Sequence, residues 1–142
     1  MSIESDQGYM RRAIELARAR LGRTGENPAV GCVIVRDGVV VAEAATADGG
    51  RPHAEEQALT AAGERARGAD AFVTMEPCGE RSSGAASCSE RLAAAGVRRV
   101  VFACDNAHGL SAGRGPVRLR DAGVALEGGF LRDEAAFLYA DR

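Results

Sequence analysis

The chain contains no tryptophan and no lysine, and aromatic residues fill only 4% of its 142 positions. So few aromatics leave the core to Val, Leu, Ile and Ala. All 18 basic residues are arginine, which is a compositional bias and not a functional signal. They are scattered, apart from pairs such as Arg11–Arg12 and Arg98–Arg99. A basic stripe of the kind that tracks a phosphate backbone is missing, and the net charge is −2 with a pI near 5.7. A nucleic-acid partner is therefore disfavoured. No apolar run approaches the roughly 20 residues that cross a bilayer, so no membrane role is expected. Met1 to Met10 is polar and acidic, unlike a secretory signal, and the default location is the cytoplasm. Four cysteines in such a compartment read as metal ligands or buried thiols sooner than as disulfides.

What is present is an ordinary globular composition, 46% hydrophobic and 27% charged. The length fits one domain, residues 1–142. The pattern predicts a first helix capped by Asp6 and running to about Leu21. Val30 to Val35 reads as a buried strand. Asp37-Gly38 signals a tight hairpin turn, with Val39 to Ala45 returning antiparallel. Pro52 fits the first position of a helix reaching about Arg67, ended by Gly68. Ala71 to Met75 and Val97 to Ala103 read as strands, with a helix over Cys88 to Ala95 between them. A short helix over Pro116 to Asp121, a strand over Val124 to Leu126 and a helix over Leu131 to Tyr139 complete the chain. Helix, hairpin, then alternating helix and strand make an α/β fold. A sheet lies between helices, with an antiparallel pair at one side and parallel crossovers elsewhere.

Two short segments carry chemistry. His53-Ala54-Glu55 opens a predicted helix, and Pro77-Cys78 follows a predicted strand, with Cys88 further on. Either alone has an ordinary reading, a surface histidine or a buried thiol. Together they supply one imidazole and two thiols, a set suited to Zn2+. Three protein ligands leave a fourth position for water, the mark of a catalytic zinc. Glu55 is the natural proton carrier beside it, because a carboxylate can take a proton from water and return it to a departing amine. Zinc deaminases of nucleobases show this order, H-x-E and then P-C with a second cysteine, although their two cysteines stand closer together. Cys32 lies inside a strand and Cys104 at a strand end, so both read as core thiols. His108 lies in a Gly-rich loop, either solvated or touching substrate.

These motifs bear a family resemblance. Asn27-Pro28-Ala29-Val30-Gly31-Cys32-Val33-Ile34-Val35, Pro52-His53-Ala54-Glu55 and Val73-Thr74-Met75-Glu76-Pro77-Cys78 resemble the cytidine-deaminase-like superfamily. Within it they look like the deaminase domain of the riboflavin-biosynthesis bifunctional deaminase/reductase. Ala94 to Val101 and Ala112 to Gly115 extend the likeness. The resemblance implies a three-layer α/β/α sandwich with a mixed five-stranded sheet. It implies Zn2+ on His53, Cys78 and Cys88, and Glu55 as acid and base. Substrate contacts are implied at Asn27, Ala54, Arg81, Asn106 and His108. The implied reaction is hydrolytic deamination of a diaminohydroxyphosphoribosylaminopyrimidine, a small molecule. Relatives with this fold self-associate, so a homodimer or homotetramer is expected.

The sequence also departs from that family. Its loop between the cysteines usually reads C-S-H-x-G-[RK]-T-P-P-C; here Gly79 to Ser87 is one residue longer and carries Glu80 in place of the histidine. Arg81 is the nearest match to the basic residue. Thr46 stands where the family often has another histidine. Asn106 and His108 fall in the polar places of an altered D-P-N segment. No reductase domain precedes Arg142, so the reductase is expected on a separate chain. Two alternatives stay open: a deaminase of another small base, nucleoside or nucleotide, and a non-catalytic, zinc-stabilised interaction subunit. The carboxylate of Glu55 speaks against the last, since a structural zinc needs none there.

Overall fold

The computed structural model describes residues 3–78, 87–105 and 114–140. Among the described residues, five α-helices and five strands follow one another. Helix α1 (Ile3–Arg18) is followed by β1 (Gly31–Arg36) and β2 (Val39–Ala45), then α2 (Ala54–Ala62) and β3 (Asp70–Met75). Next come α3 (Cys88–Ala94), β4 (Arg99–Cys104), α4 (Arg114–Asp121), β5 (Ala125–Glu127) and α5 (Arg132–Ala135). Among the described residues, no helix is long and apolar enough to cross a membrane.

The strands form one sheet in the order β2-β1-β3-β4-β5. The β1–β2 hairpin turns at Asp37 and Gly38, whose φ values of 52° and 76° are those of a tight, twist-matched turn. On its other flank β1 pairs antiparallel with β3, while β3–β4 and β4–β5 are parallel. The chain therefore leaves β2, crosses over β1 through α2, and enters β3 parallel to β2. The expected hairpin and crossovers are present, with the hairpin's first strand placed between two antiparallel neighbours.

Alternation along each strand separates two cores. Val33, Val35, Phe72 and Val101 face α1 and the C-terminal turns, with Met10, Ala13, Ile14, Ala17 and Leu138. Cys32, Ile34, Ala71, Val73 and Val100 face the other way, against Ala54, Ala58, Ala62, Leu92 and Leu119 of α2, α3 and α4. This is the expected three-layer α/β/α sandwich. On the first face, Gly31 is required by close approach: a Cβ there would lie 1.9 Å from the carbonyl oxygen of Ala13, so any side chain would push α1 off the sheet.

Three local expectations are corrected. Asp6 does not cap α1, which begins earlier at Ile3; its carboxylate is taken by Arg99, which donates to it from Nη1 and Nη2, both at 3.1 Å. Pro52 is not the first helical residue. His53 is the N-cap of α2, extended at φ −69°, ψ 160°, and the Pro52 carbonyl accepts from Ala47 N and Gln57 Nε2 outside the helix. Helix α2 ends at Ala62, and a 3-10 turn over Gly63–Ala66 replaces the rest of the predicted helix.

Candidate active site

Three backbone ends converge beyond the C-terminal end of β3. His53 caps α2, Glu55 lies in the first turn of that helix, Cys78 follows β3, and Cys88 opens α3. The ligand atoms of His53, Cys78 and Cys88 all lie within 4.8 Å of one another. His53 Nδ1 is 3.4 Å from Cys88 Sγ, and the Cys88 amide donates to Cys78 Sγ at 3.2 Å. The start of α3 also grips the Cys78 backbone: the Ser89 amide and hydroxyl both donate to its carbonyl, at 3.1 and 2.8 Å. Ser87 caps that helix by accepting from the Glu90 amide at 3.2 Å. From the other side α4 presses on the same segment. A Cβ at Gly115 would lie 1.9 Å from the Pro77 carbonyl oxygen, so the helix seats there only because that residue has no side chain.

The electrostatics follow from this packing. Hydrogen bonds from Cys88, then from His53, hold the Cys78 thiol down to about 4, against the opposing effect of burial. Glu55 is 4% exposed, and burial pushes its carboxyl up to about 7, partly offset by a bond to its own backbone and by His53. Cys32 lies close enough to feel that carboxylate; burial first, and then Glu55, hold its thiol well above the usual range. One imidazole and two thiols, one of them held toward its ionised form, fit Zn2+, and they number one fewer than the four ligands that zinc takes.

Over residues 3–104 the chain matches the family described as the cytidine and deoxycytidylate deaminase zinc-binding region. The chain belongs to this deaminase family. It is 45% identical over 130 residues to the riboflavin biosynthesis protein RibD of Escherichia coli, an alignment covering 92% of this chain and 35% of that protein. Against RibD of Acinetobacter baumannii the TM-score is 0.91 at 44% identity, covering 98% of this chain and 39% of the other. A Thermotoga maritima structure described as a diaminohydroxyphosphoribosylaminopyrimidine deaminase/5-amino-6-(5-phosphoribosylamino)uracil reductase gives 0.88 at 35% identity, covering 95% and 39%. The chain thus spans about a third of the length of the curated relatives it matches. The deaminase family is zinc-binding, and His53, Cys78 and Cys88 are positioned to bind a metal ion.

The other expected site residues are distributed differently. Asn27 is half-buried, and its Nδ2 donates at 2.9 Å to the carbonyl of Gly50, just ahead of His53. Ala54 is fully buried, its side chain in the aliphatic core under α2. Arg81, Asn106 and His108 lie outside the described residues. Cys32 and Cys104 are buried, as core thiols should be. Sequence reasoning missed the residues that hold the ligands. Ser89 grips Cys78, and Glu56 Oε1 accepts from the His53 amide at 3.4 Å. A signal for Glu56 was present, since His53-x-x-Glu56 has the spacing of a helix-capping pair; Ser89 carries none.

Proposed function

We propose that this chain is a zinc-dependent hydrolase that deaminates the diaminohydroxyphosphoribosylaminopyrimidine of riboflavin biosynthesis. The observation that carries the reading is Glu55. It is a buried carboxyl on the first turn of the helix that His53 caps, beside the three-donor cluster, where a purely structural metal would need no carboxylate. The RibD relatives supply the substrate class.

When bound, zinc supplies a Lewis acid that brings the pKa of water to about 7. Glu55 then moves the protons. Its carboxylate takes one from the attacking water and gives it to the ring nitrogen beside the carbon under attack. It delivers the second proton to the amino group, the C–N bond breaks, ammonia leaves, and a ring carbonyl remains. His53 and Cys78 are held in place for this by Glu56 and by Ser89. Asn27, bonded to Gly50 ahead of His53, contacts the substrate, and the family resemblance adds Arg81, Asn106 and His108 as further substrate contacts. By the same reading residues 1–142 form one domain, working in the cytoplasm as a self-associated dimer or tetramer.

The test is ammonia release from that pyrimidine by protein shown to hold one zinc per chain. Glu55→Gln is expected to keep the zinc and lose about 10²–10⁴ in rate. Release that survives in Glu55→Gln removes the proton-carrier role. No release from zinc-loaded wild type redirects the search to another small amino-substituted ring.

A further inference from the structure

Side-chain hydroxyl groups hold the segment that runs from Asn27 into the start of β1. The Asn27 carbonyl accepts from Thr24 Oγ1 at 2.6 Å, the Pro28 carbonyl from Thr46 Oγ1 at 3.2 Å, and the Ala29 carbonyl from Tyr139 Oη at 2.8 Å. The next two amides are bound the same way, Val30 N to Thr46 Oγ1 at 2.9 Å and Gly31 N to Thr74 Oγ1 at 3.0 Å. Thr74 and Tyr139 are joined at 2.8 Å. The single proton of Tyr139 goes to Ala29, so in this last bond the Thr74 hydroxyl donates and the tyrosine oxygen accepts. Five consecutive residues thus have a backbone group fixed by four side-chain hydroxyls from four separate parts of the chain.

Three of those hydroxyls come from residues close to the segment or to the site. Thr24 lies just before it, Thr46 follows β2, and Thr74 is on β3 a few residues ahead of Cys78. Tyr139 comes from the last turn of the described chain, after α5. It meets the segment where two positions are coupled: Ala29 directly, and Gly31 through Thr74. Asn27 in turn bonds Gly50 ahead of His53, so the segment bridges the two strands of chain that bear the first two metal ligands.

We propose that Tyr139 is a positioning residue for substrate binding, acting through the carbonyl of Ala29 and the hydroxyl of Thr74 to fix where Asn27 stands. This rests on the reading that Asn27 touches the substrate. Removing the hydroxyl frees the Ala29 carbonyl and leaves Thr74 without its acceptor, and the Asn27 segment then samples more than one position. The zinc ligands and Glu55 are not moved.

The decisive variant is Tyr139→Phe, which keeps the ring, with Thr74→Val as an independent second break. Each is expected to retain one zinc per chain, to raise KM for the pyrimidine about five- to tenfold, and to leave kcat within about twofold. Amide exchange at Val30 and Gly31 should quicken while that of β3 and β4 stays unchanged. On an Asn27→Ala background, which alone raises KM, Tyr139→Phe should add nothing, because the two act in series. A rise of the same size on both backgrounds, or unaltered exchange at Gly31, overturns the proposal. Wild-type kinetics in Asn27→Ala overturn the substrate contact and the proposal with it. Should wild type be inert toward the pyrimidine, the substrate assignment fails, and exchange at Gly31 alone decides the clamp.

Discussion

Buried charge gathers at both ends of β3, and the two ends treat it differently. At the start, Asp70 is 2% exposed and its Oδ2 accepts from Arg98 at 2.8 Å and Arg99 at 3.0 Å. Arg99 also reaches Asp6 and lies over the Phe72 ring, 5.6 Å from its centroid. Here the chain brings its own cations to its own carboxylates. At the far end, the groups acting on Glu55 and Cys78 are backbone, His53, each other and Cys88. Among the described residues, no arginine is among the groups that shift them, and His53, Cys78 and Cys88 are placed to take a metal ion. Arginine pairing marks one end, and a cluster of metal donors marks the other.

The largest expected effect comes from removing a ligand. Wild type at a thousandfold excess of zinc over Kd should gain about 4 kcal/mol of stability, seen as a higher melting temperature. Cys88→Ser should gain none, and should carry no zinc by elemental analysis. If Cys88→Ser kept a full complement of metal, the contrast between the two ends would lose its basis. Next in size, Arg99→Leu leaves Asp6 and Asp70 buried beside each other without their shared partner. It should cost about 3 kcal/mol in urea unfolding while zinc content stays at one per chain. A loss of metal in that variant would show that the two ends are not independent.

Smaller effects sharpen the comparison. Ser89→Ala removes the hydroxyl that grips the Cys78 carbonyl and should weaken zinc about tenfold in a competition titration, with little change in melting. At the exposed margin, Arg12 holds the Glu43 carboxyl below its usual range, chiefly through their hydrogen bonds. A carboxylate with a lowered folded pKa stabilises above its unfolded value, near 4.3, and that contribution fades as pH falls through the lowered one. Because the pair is solvent-screened, Glu43→Gln should cost under about 1 kcal/mol at pH 7, and the cost should shrink as pH falls below the carboxylate range, by thermal melts across that span.

These two ends were not equally legible. The cluster of His53, Cys78 and Cys88, with Glu55 on the helix that His53 caps, could be picked out from short motifs, because few other residue types suit a metal-donor set. The hairpin was legible from Asp37-Gly38, and the two cores from strand alternation. The arginine-paired end was not. Asp6 looks like a helix cap by local rules, and its real partner, Arg99, is 93 residues away. Pro52 likewise fits a helix start until the carbonyl bonds to Ala47 and Gln57 place it outside. The hydroxyl bonds around Asn27 to Gly31 were equally hidden. Thr24, Thr46, Thr74 and Tyr139 follow no periodic pattern, and only the folded chain brings them to one segment. Motifs expose what the reaction demands of residue types, whereas pairings set by topology stay silent until the sheet order is known.

The tie between Tyr139 and Ala29 bears on where this unit can be cut. The family match ends at residue 104 and already contains His53, Glu55, Cys78 and Cys88. A fragment excised at that boundary keeps the three-donor cluster and the Glu55 carboxyl. It loses the hydroxyl that holds Ala29 and the helix whose Gly115 rests on Pro77. Transplanting or trimming the domain by its signature alone would therefore yield the reactive groups without the frame that aims them, and the smallest transferable piece extends through Tyr139.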